Sequence, residues 1–67
     1  MISITLNGFP REVPDNTTVE NIVSEVTTAT RGIAVAVDEN VVRRTDWANT
    51  VLQSGARVDV LTAVQGG

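Results

Sequence analysis

The chain contains no cysteine and no histidine. The first absence excludes a disulfide framework, a thiolate metal site and a thiol nucleophile. The second removes the usual general base near neutral pH and the commonest metal ligand. Lysine is missing as well, so no lysine side chain can be modified or form a Schiff base. Five arginines face eight acidic residues for a formal net charge of −3, the wrong sign for nucleic-acid binding driven by counterion release. No apolar run approaches the ~20 residues of a membrane span. Residues Met1 to Leu6 lack a basic n-region and a cleavage site, so the expected compartment is the cytosol. Sixty-seven residues amount to one domain, and a chain of this size buries only about 60% of the surface its unfolded form exposes. That leaves room for one thin core and hardly for a deep substrate cavity. Such a domain is poorly equipped to catalyse anything by itself.

What is present is a strongly patterned series of short elements. Ile2, Ile4 and Leu6 alternate with Ser3 and Thr5, as in a half-buried strand. Asn7-Gly8 follows, the dipeptide best suited to the positive φ angles of a two-residue hairpin. The partner strand, Phe9 to Val13, contains Pro10, which cannot donate a ladder hydrogen bond and places this strand at a sheet edge. After the turn residues Pro14-Asp15-Asn16 the period changes. Val19, Ile22, Val23 and Val26 form one stripe of a helix, with Thr17 and Glu20, the capping-box pair, or else Thr18 and Asn21 as candidate caps. Thr27, Thr28 and Thr30 predict that this helix frays before Gly32.

Ile33, Val35 and Val37 alternate with Ala34 and Ala36 in a third strand. Asp38-Glu39-Asn40 reads as a turn and Val41 to Arg43 as a short returning strand. Asp46 to Thr50 reads as a loop or a single helical turn, from which Trp47 is expected to cover one end of the core. Gly55 marks a turn before the last strand, Arg57 to Ala63. There Val58 and Val60 point inward, with Thr62 as a further candidate, while Asp59, Leu61 and Ala63 point out. The order strand, strand, helix, strand, strand, strand predicts an α+β fold, a mixed sheet of about five strands with one main helix on one face. With a right-handed crossover, the last strand enters the sheet centre parallel to the first. This is the β-grasp arrangement, with a split βαβ layout as the alternative.

The chain ends in Gly66-Gly67. On the dipeptide alone a frayed terminus is the better reading. Its position directly after the expected central strand changes the weighing. Residues 1–63 then form a body, and 64–67 a flexible arm ending in a free carboxylate. Glycine has no Cβ, so the backbone passes a narrow channel in any conformation. Val64, Gln65, Gly66 and Gly67, fully extended, reach roughly 13–14 Å, enough for a carboxylate to meet a nucleotide buried in another protein. A carboxylate is unreactive, so a partner must activate it, most simply by adenylation with ATP.

At these residues the sequence resembles the ThiS family of sulfur carriers of thiazole (thiamine) biosynthesis, within the ubiquitin-like β-grasp superfamily. The similarity covers nearly the whole chain. It is clearest in the small-residue strand, polar turn and valines of residues 32–42, in the Arg-x-x-Trp spacing of Arg44 and Trp47, and in the stretch from Gly55 to the Gly-Gly end. Arg43 departs from it, since some members carry proline there. The resemblance implies a carrier cycle. A ThiF-type adenylating enzyme uses ATP to convert the Gly67 carboxylate to an acyl-adenylate, and sulfur from a persulfide displaces AMP to leave a thiocarboxylate. A ThiG-type thiazole synthase then takes the sulfur. In such a cycle the chain is a protein cosubstrate, not an enzyme, with no bound cofactor or metal and no nucleic-acid or membrane partner.

The outward face of the third and fifth strands offers Ala34, Ala36, Leu61 and Ala63 as a docking patch, since ubiquitin-like carriers commonly dock by a comparable face. Scattered exposed apolar residues also occur without any such role. Arg43 and Arg44 read more readily as a solvated edge device than as contacts to an acidic rim. Asp59 is either a rim contact or a solubilising charge, and Asp38 and Glu39 read as turn formers and not as acid/base or metal ligands. Two alternatives stand beside the thiamine carrier. One is a MoaD-like carrier for molybdopterin or another sulfur-transfer pathway. The other is a ubiquitin-like module that is conjugated to proteins or merely binds them.

Overall fold

The alternating segments pair with one another, and the one segment with helical period packs across them. The computed structural model describes residues 1–28 and 32–62. It contains β1 (Ile2–Leu6), β2 (Phe9–Val13), α1 (Val19–Val26), β3 (Ile33–Val37), β4 (Asn40–Val42), a 3-10 helix (Arg44–Asn49) and β5 (Arg57–Thr62). The five strands form one sheet in the order β2-β1-β5-β3-β4. β1 and β2 are antiparallel, β1 and β5 parallel, and β3 is antiparallel to both β4 and β5. The last strand therefore occupies the centre of a mixed sheet, and the proline-bearing β2 lies at an edge. This is the β-grasp arrangement expected from the pattern.

The period-two alternation sorts the strands into two faces. Ile4, Leu6, Val13, Val35, Val58 and Val60 point toward α1 and join its Val19, Ile22 and Val23 in one core, closed by Trp47, Leu52 and Ala56. Val26 lies on the same helical stripe but in the last turn, and is 38% exposed. Thr62, the further candidate for the inward face of β5, is exposed.

The local choices are resolved by hydrogen bonds. Thr18, not Thr17, caps α1. Its Oγ1 accepts from the Asn21 N–H at 3.2 Å, and Asn21 Oδ1 accepts from the Thr18 N–H at 3.1 Å. Thr17 is buried and its hydroxyl donates to the Pro14 carbonyl at 2.6 Å, tying the turn that leads out of β2. The helix stops at Val26, with the Thr27 N–H donating back to the Val23 carbonyl. Eight residues rich in β-branched side chains do not form a stable helix alone, so packing on the sheet holds α1 in place. Arg11, on the helix-facing side of β2, adds an ion pair to Glu25 of α1.

Two boundaries differ from the pattern. β4 runs Asn40–Val42 and not Val41 to Arg43, because the hairpin turn takes only Asp38 and Glu39, at φ 51° and 73°. Two consecutive positive φ angles match the right-handed twist of the flanking strands. The turn before Trp47 starts earlier than expected, forming two turns of 3-10 helix from Arg44. β5 is described to Thr62; Ala63, Val64, Gln65, Gly66 and Gly67 lie outside the described residues, as does Thr30.

Glu39 has no side-chain device that favours the left-handed region, in contrast to Asp38 beside it. Glu39→Gly is therefore expected to stabilise the domain by roughly 1 kcal/mol. In a domain of this size that is a rise of about 4–8 °C in thermal midpoint. Calorimetry or thermal circular dichroism checks it, and a lowered midpoint would show that Glu39 makes a compensating contact.

Candidate functional site

The sheet face turned away from α1 carries no core, so whatever stands on it is available to other molecules. In β5 this face consists of Arg57, Asp59 and Leu61, in β3 of Ala34 and Ala36, and in β4 of Val41. The registers place Leu61 directly opposite Ala34, Asp59 opposite Ala36, and Ala36 opposite Val41. Opposed residues have Cβ atoms about 4.5–5.5 Å apart, so Leu61, Ala34, Ala36 and Val41 form one apolar strip across three strands, with Asp59 beside Ala36 at its margin. Leu61 is 67% and Val41 78% exposed. Three of the four residues named from the sequence are thus brought together, and the fourth, Ala63, lies outside the described residues. Val41 was missed. The signal for it is the two-residue period of β4, in which Val42 turns to the core and Val41 must turn away.

Charge lies at one end of the strip. Arg57 Nε and Asp59 Oδ2 are 3.6 Å apart on the same strand and face, so Asp59 has a local partner. At this exposure the pair contributes little to stability. Arg43 leads into the 3-10 helix with an extended backbone. Arg44 departs from the edge-device reading, for its guanidinium carbon sits 5.8 Å from the centre of the Trp47 ring, in cation–π range.

No catalytic constellation accompanies these residues. Among the described residues, no three acidic side chains are gathered closely enough to hold a metal ion, and no buried side-chain polar atom lacks a partner. An open groove of about 470 Å³ between α1 and the 3-10 helix is walled by Val23, Ile33, Arg44 and Trp47. Its lining also includes Glu20 and Ser24, one helical turn apart, where the Ser24 hydroxyl donates to the Glu20 backbone carbonyl at 3.0 Å. Asp38 and Glu39 sit in the hairpin turn as expected, and the Asp38 carboxylate accepts a hydrogen bond from the Arg57 backbone N–H at 3.0 Å. That bond is spent on joining the β3–β4 turn to the start of β5. No helix among the described residues is long and apolar enough to cross a membrane.

The geometry therefore offers a rigid sheet, an apolar strip on its open face, and a central strand leading directly to residues 63–67. The sequence matches the ThiS family over residues 4–67. Among solved structures, the thiamine biosynthesis protein (ThiS) from Geobacter metallireducens superposes with a TM-score of 0.79 at 25% sequence identity. That alignment covers 98% of this chain and 100% of the other. No curated relative matches the sequence. The mixed five-stranded sheet with its single packed α-helix agrees with both positive findings, and the chain belongs to the ThiS family.

Proposed function

We propose that this chain is a sulfur carrier of thiamine biosynthesis, with its cargo held on the carboxylate of Gly67. The observation that carries this reading is the position of β5. It is flanked by β1 and β3 in the middle of the sheet, and the Gly66-Gly67 pair follows it by only a few residues. A central strand is the part of the body least able to move, so a segment leaving it starts from a fixed point. The family match runs through the same segment to Gly67.

In the proposed cycle a ThiF-type enzyme transfers AMP from ATP to the Gly67 carboxylate, releasing pyrophosphate. The leaving group is then AMP instead of oxide, so the terminal sulfur of a persulfide can displace it. The acyl disulfide formed in this way is cleaved by a thiol, which joins the persulfide's inner sulfur in a new disulfide and frees the thiocarboxylate, and this carries sulfur to a ThiG-type thiazole synthase. ATP belongs to the activating partner. The strip of Ala34, Ala36, Val41 and Leu61 is the docking face, because it lies beside the strand that delivers the reactive end.

The test is an intact mass after incubation with an activating enzyme, ATP and a sulfur donor. The expected result is a gain equal to the difference between a sulfur and an oxygen atom, localised to Gly67. No gain, or amide-linked adducts with other proteins in its place, would overturn the reading. The docking face has its own test. Leu61→Asp should leave the melting transition in place, since the side chain is mostly exposed, yet slow adenylation about 10-fold or more by putting a charge in the middle of an apolar contact. Unchanged adenylation kinetics would remove the strip from the cycle.

A further inference from the structure

Asn7 occupies a turn, and its sequence context accounts for it fully as a turn residue: φ is 50° there and 85° at Gly8. Its side chain does something that the turn does not require. Asn7 Oδ1 accepts a hydrogen bond of 2.7 Å from the backbone N–H of Val60, fifty-three residues away in the chain. The Asn7 N–H in turn donates to the Val58 carbonyl at 2.9 Å.

The place of this bond in the sheet gives it its meaning. β1 and β5 pair in parallel only at Thr5↔Arg57 and Leu6↔Val58. After the Asn7 N–H, bonded to the Val58 carbonyl, the chain turns away into β2 and offers β5 no further backbone group. β5 continues to Thr62, still paired with β3 on its other side through Val60, Leu61 and Thr62. The Asn7 carboxamide stands where the next carbonyl of β1 would be, and adds one rung to the ladder after the strand has ended. An asparagine side chain has the same amide chemistry as the backbone, so it substitutes for a peptide unit. At the start of β5 the Asp38 carboxylate makes the equivalent bond from the other neighbour, to the Arg57 N–H at 3.0 Å. Both clamps come from residues with positive φ, a conformation that asparagine and aspartate tolerate.

We infer that Asn7 is a positioning residue for sulfur carriage, holding the exit of β5 so that the segment ending in Gly67 leaves the body in a fixed direction. This rests on the carrier reading given above. Gly67 lies seven residues beyond Val60, so the point at which β5 is last held from both sides sets how much chain is left to be ordered when a partner takes up the carboxylate. Without the rung, Val60 to Thr62 are held from the β3 side alone. An activating enzyme must then order additional residues when it takes up the segment. The loss falls on formation of the productive complex, that is on KM, and leaves the chemical step on the carboxylate unchanged.

The experiment compares wild type, Asn7→Gly and Asn7→Asp. Glycine keeps the turn geometry and removes the acceptor; aspartate keeps an acceptor oxygen at the same place. Amide hydrogen exchange at Val60 is read against that at Ile22, whose N–H bonds to the Thr18 carbonyl inside α1. Adenylation by an activating enzyme is measured at varied carrier concentration. In Asn7→Gly, Val60 exchange is expected to accelerate about 3- to 10-fold relative to Ile22. The KM for the carrier should rise several-fold with kcat unchanged, and Asn7→Asp should restore both. Equal acceleration at Val60 and Ile22, or none, overturns the clamp. Faster exchange at Val60 with an unchanged KM overturns the positioning role. A wild-type protein that is never adenylated removes the carrier reading, and the positioning role with it, while the exchange data still decide whether the Asn7–Val60 bond holds the strand.

Discussion

Deleting Gly67 is expected to abolish sulfur loading while leaving the unfolding transition of the domain where it was. Among the described residues the core runs from Ile4 to Val60 and the sheet pairing reaches Ile33↔Thr62, five residues short of Gly67, so the deletion leaves all of these contacts in place. The chemical consequence is of a different order. The variant still ends in a glycine carboxylate, now that of Gly66, and the reacting group has moved back by one residue, about 3.3–3.6 Å. Adenylyl transfer to a carboxylate requires the attacking oxygen in line with, and about 3–3.5 Å from, the phosphorus, and misplacement by about 1 Å already costs on the order of 100-fold. In the proposed docking the apolar strip is seated on the same partner, so the body cannot advance to compensate. Loss of the sulfur-dependent mass gain by at least about 100-fold is therefore expected. It is read by intact mass in parallel with a denaturation curve. A truncated chain that loads sulfur at the wild-type rate would mean that the handle is not the terminal carboxylate. A truncated chain that melts early would mean that the end of the chain packs on the body.

Much of this molecule is legible in its sequence, and what is hidden is hidden for identifiable reasons. Strand alternation is a local signal, so Ile2 to Leu6, Ile33 to Val37 and Arg57 onward could be placed, with the edge position of β2 following from Pro10. The central, parallel placement of β5 followed from the element order. The helix cap was ambiguous because Thr17 and Thr18 stand at equivalent spacing from Glu20 and Asn21. Only the burial of Thr17 against Pro14 decides between them, and burial is a property of the assembled fold. β4 slipped by one residue because Asn40 reads as a turn former, whereas the turn closes with Asp38 and Glu39 alone. Of the docking strip, Ala34, Ala36 and Leu61 were visible as the outward set of two strands. Val41 was not, because a three-residue strand gives too short a pattern to assign a face. The contacts of Asn7 with Val60 and Asp38 with Arg57 were out of reach. Each joins a local turn residue to a strand far along the chain, and turn chemistry alone accounts for the residue type.

The two aromatic side chains should differ more in their effect on stability than any other pair of similar size. Trp47→Ala is expected to destabilise the domain by about 3–5 kcal/mol, whereas Phe9→Ala should change stability by no more than about 0.5 kcal/mol. Trp47 is only 5% exposed. It hangs from a 3-10 helix that packs on α1 and closes the end of the core. Its Nε1–H donates to the Val42 carbonyl at 3.0 Å, so truncation empties the largest side-chain volume in the core and breaks the tie between the 3-10 helix and β4. Phe9, at the first position of β2, is 74% exposed and has little to lose. For 67 residues the total stability expected at about 0.05–0.15 kcal/mol per residue is only some 3–10 kcal/mol. The tryptophan variant is therefore close to unfolding at room temperature. Urea titration followed by far-ultraviolet circular dichroism measures both variants, since Trp47 is the only tryptophan and its fluorescence disappears with it. Trp47→Phe separates the two contributions. It retains most of the ring and loses the bond to Val42, so it should fall between, with a loss near 1–2 kcal/mol. A loss below about 1.5 kcal/mol in Trp47→Ala would mean that the core closes without the indole. Should the expected loss be found, any failure of that variant to carry sulfur reports a body that no longer presents β5, whereas the Gly67 deletion fails with the body intact.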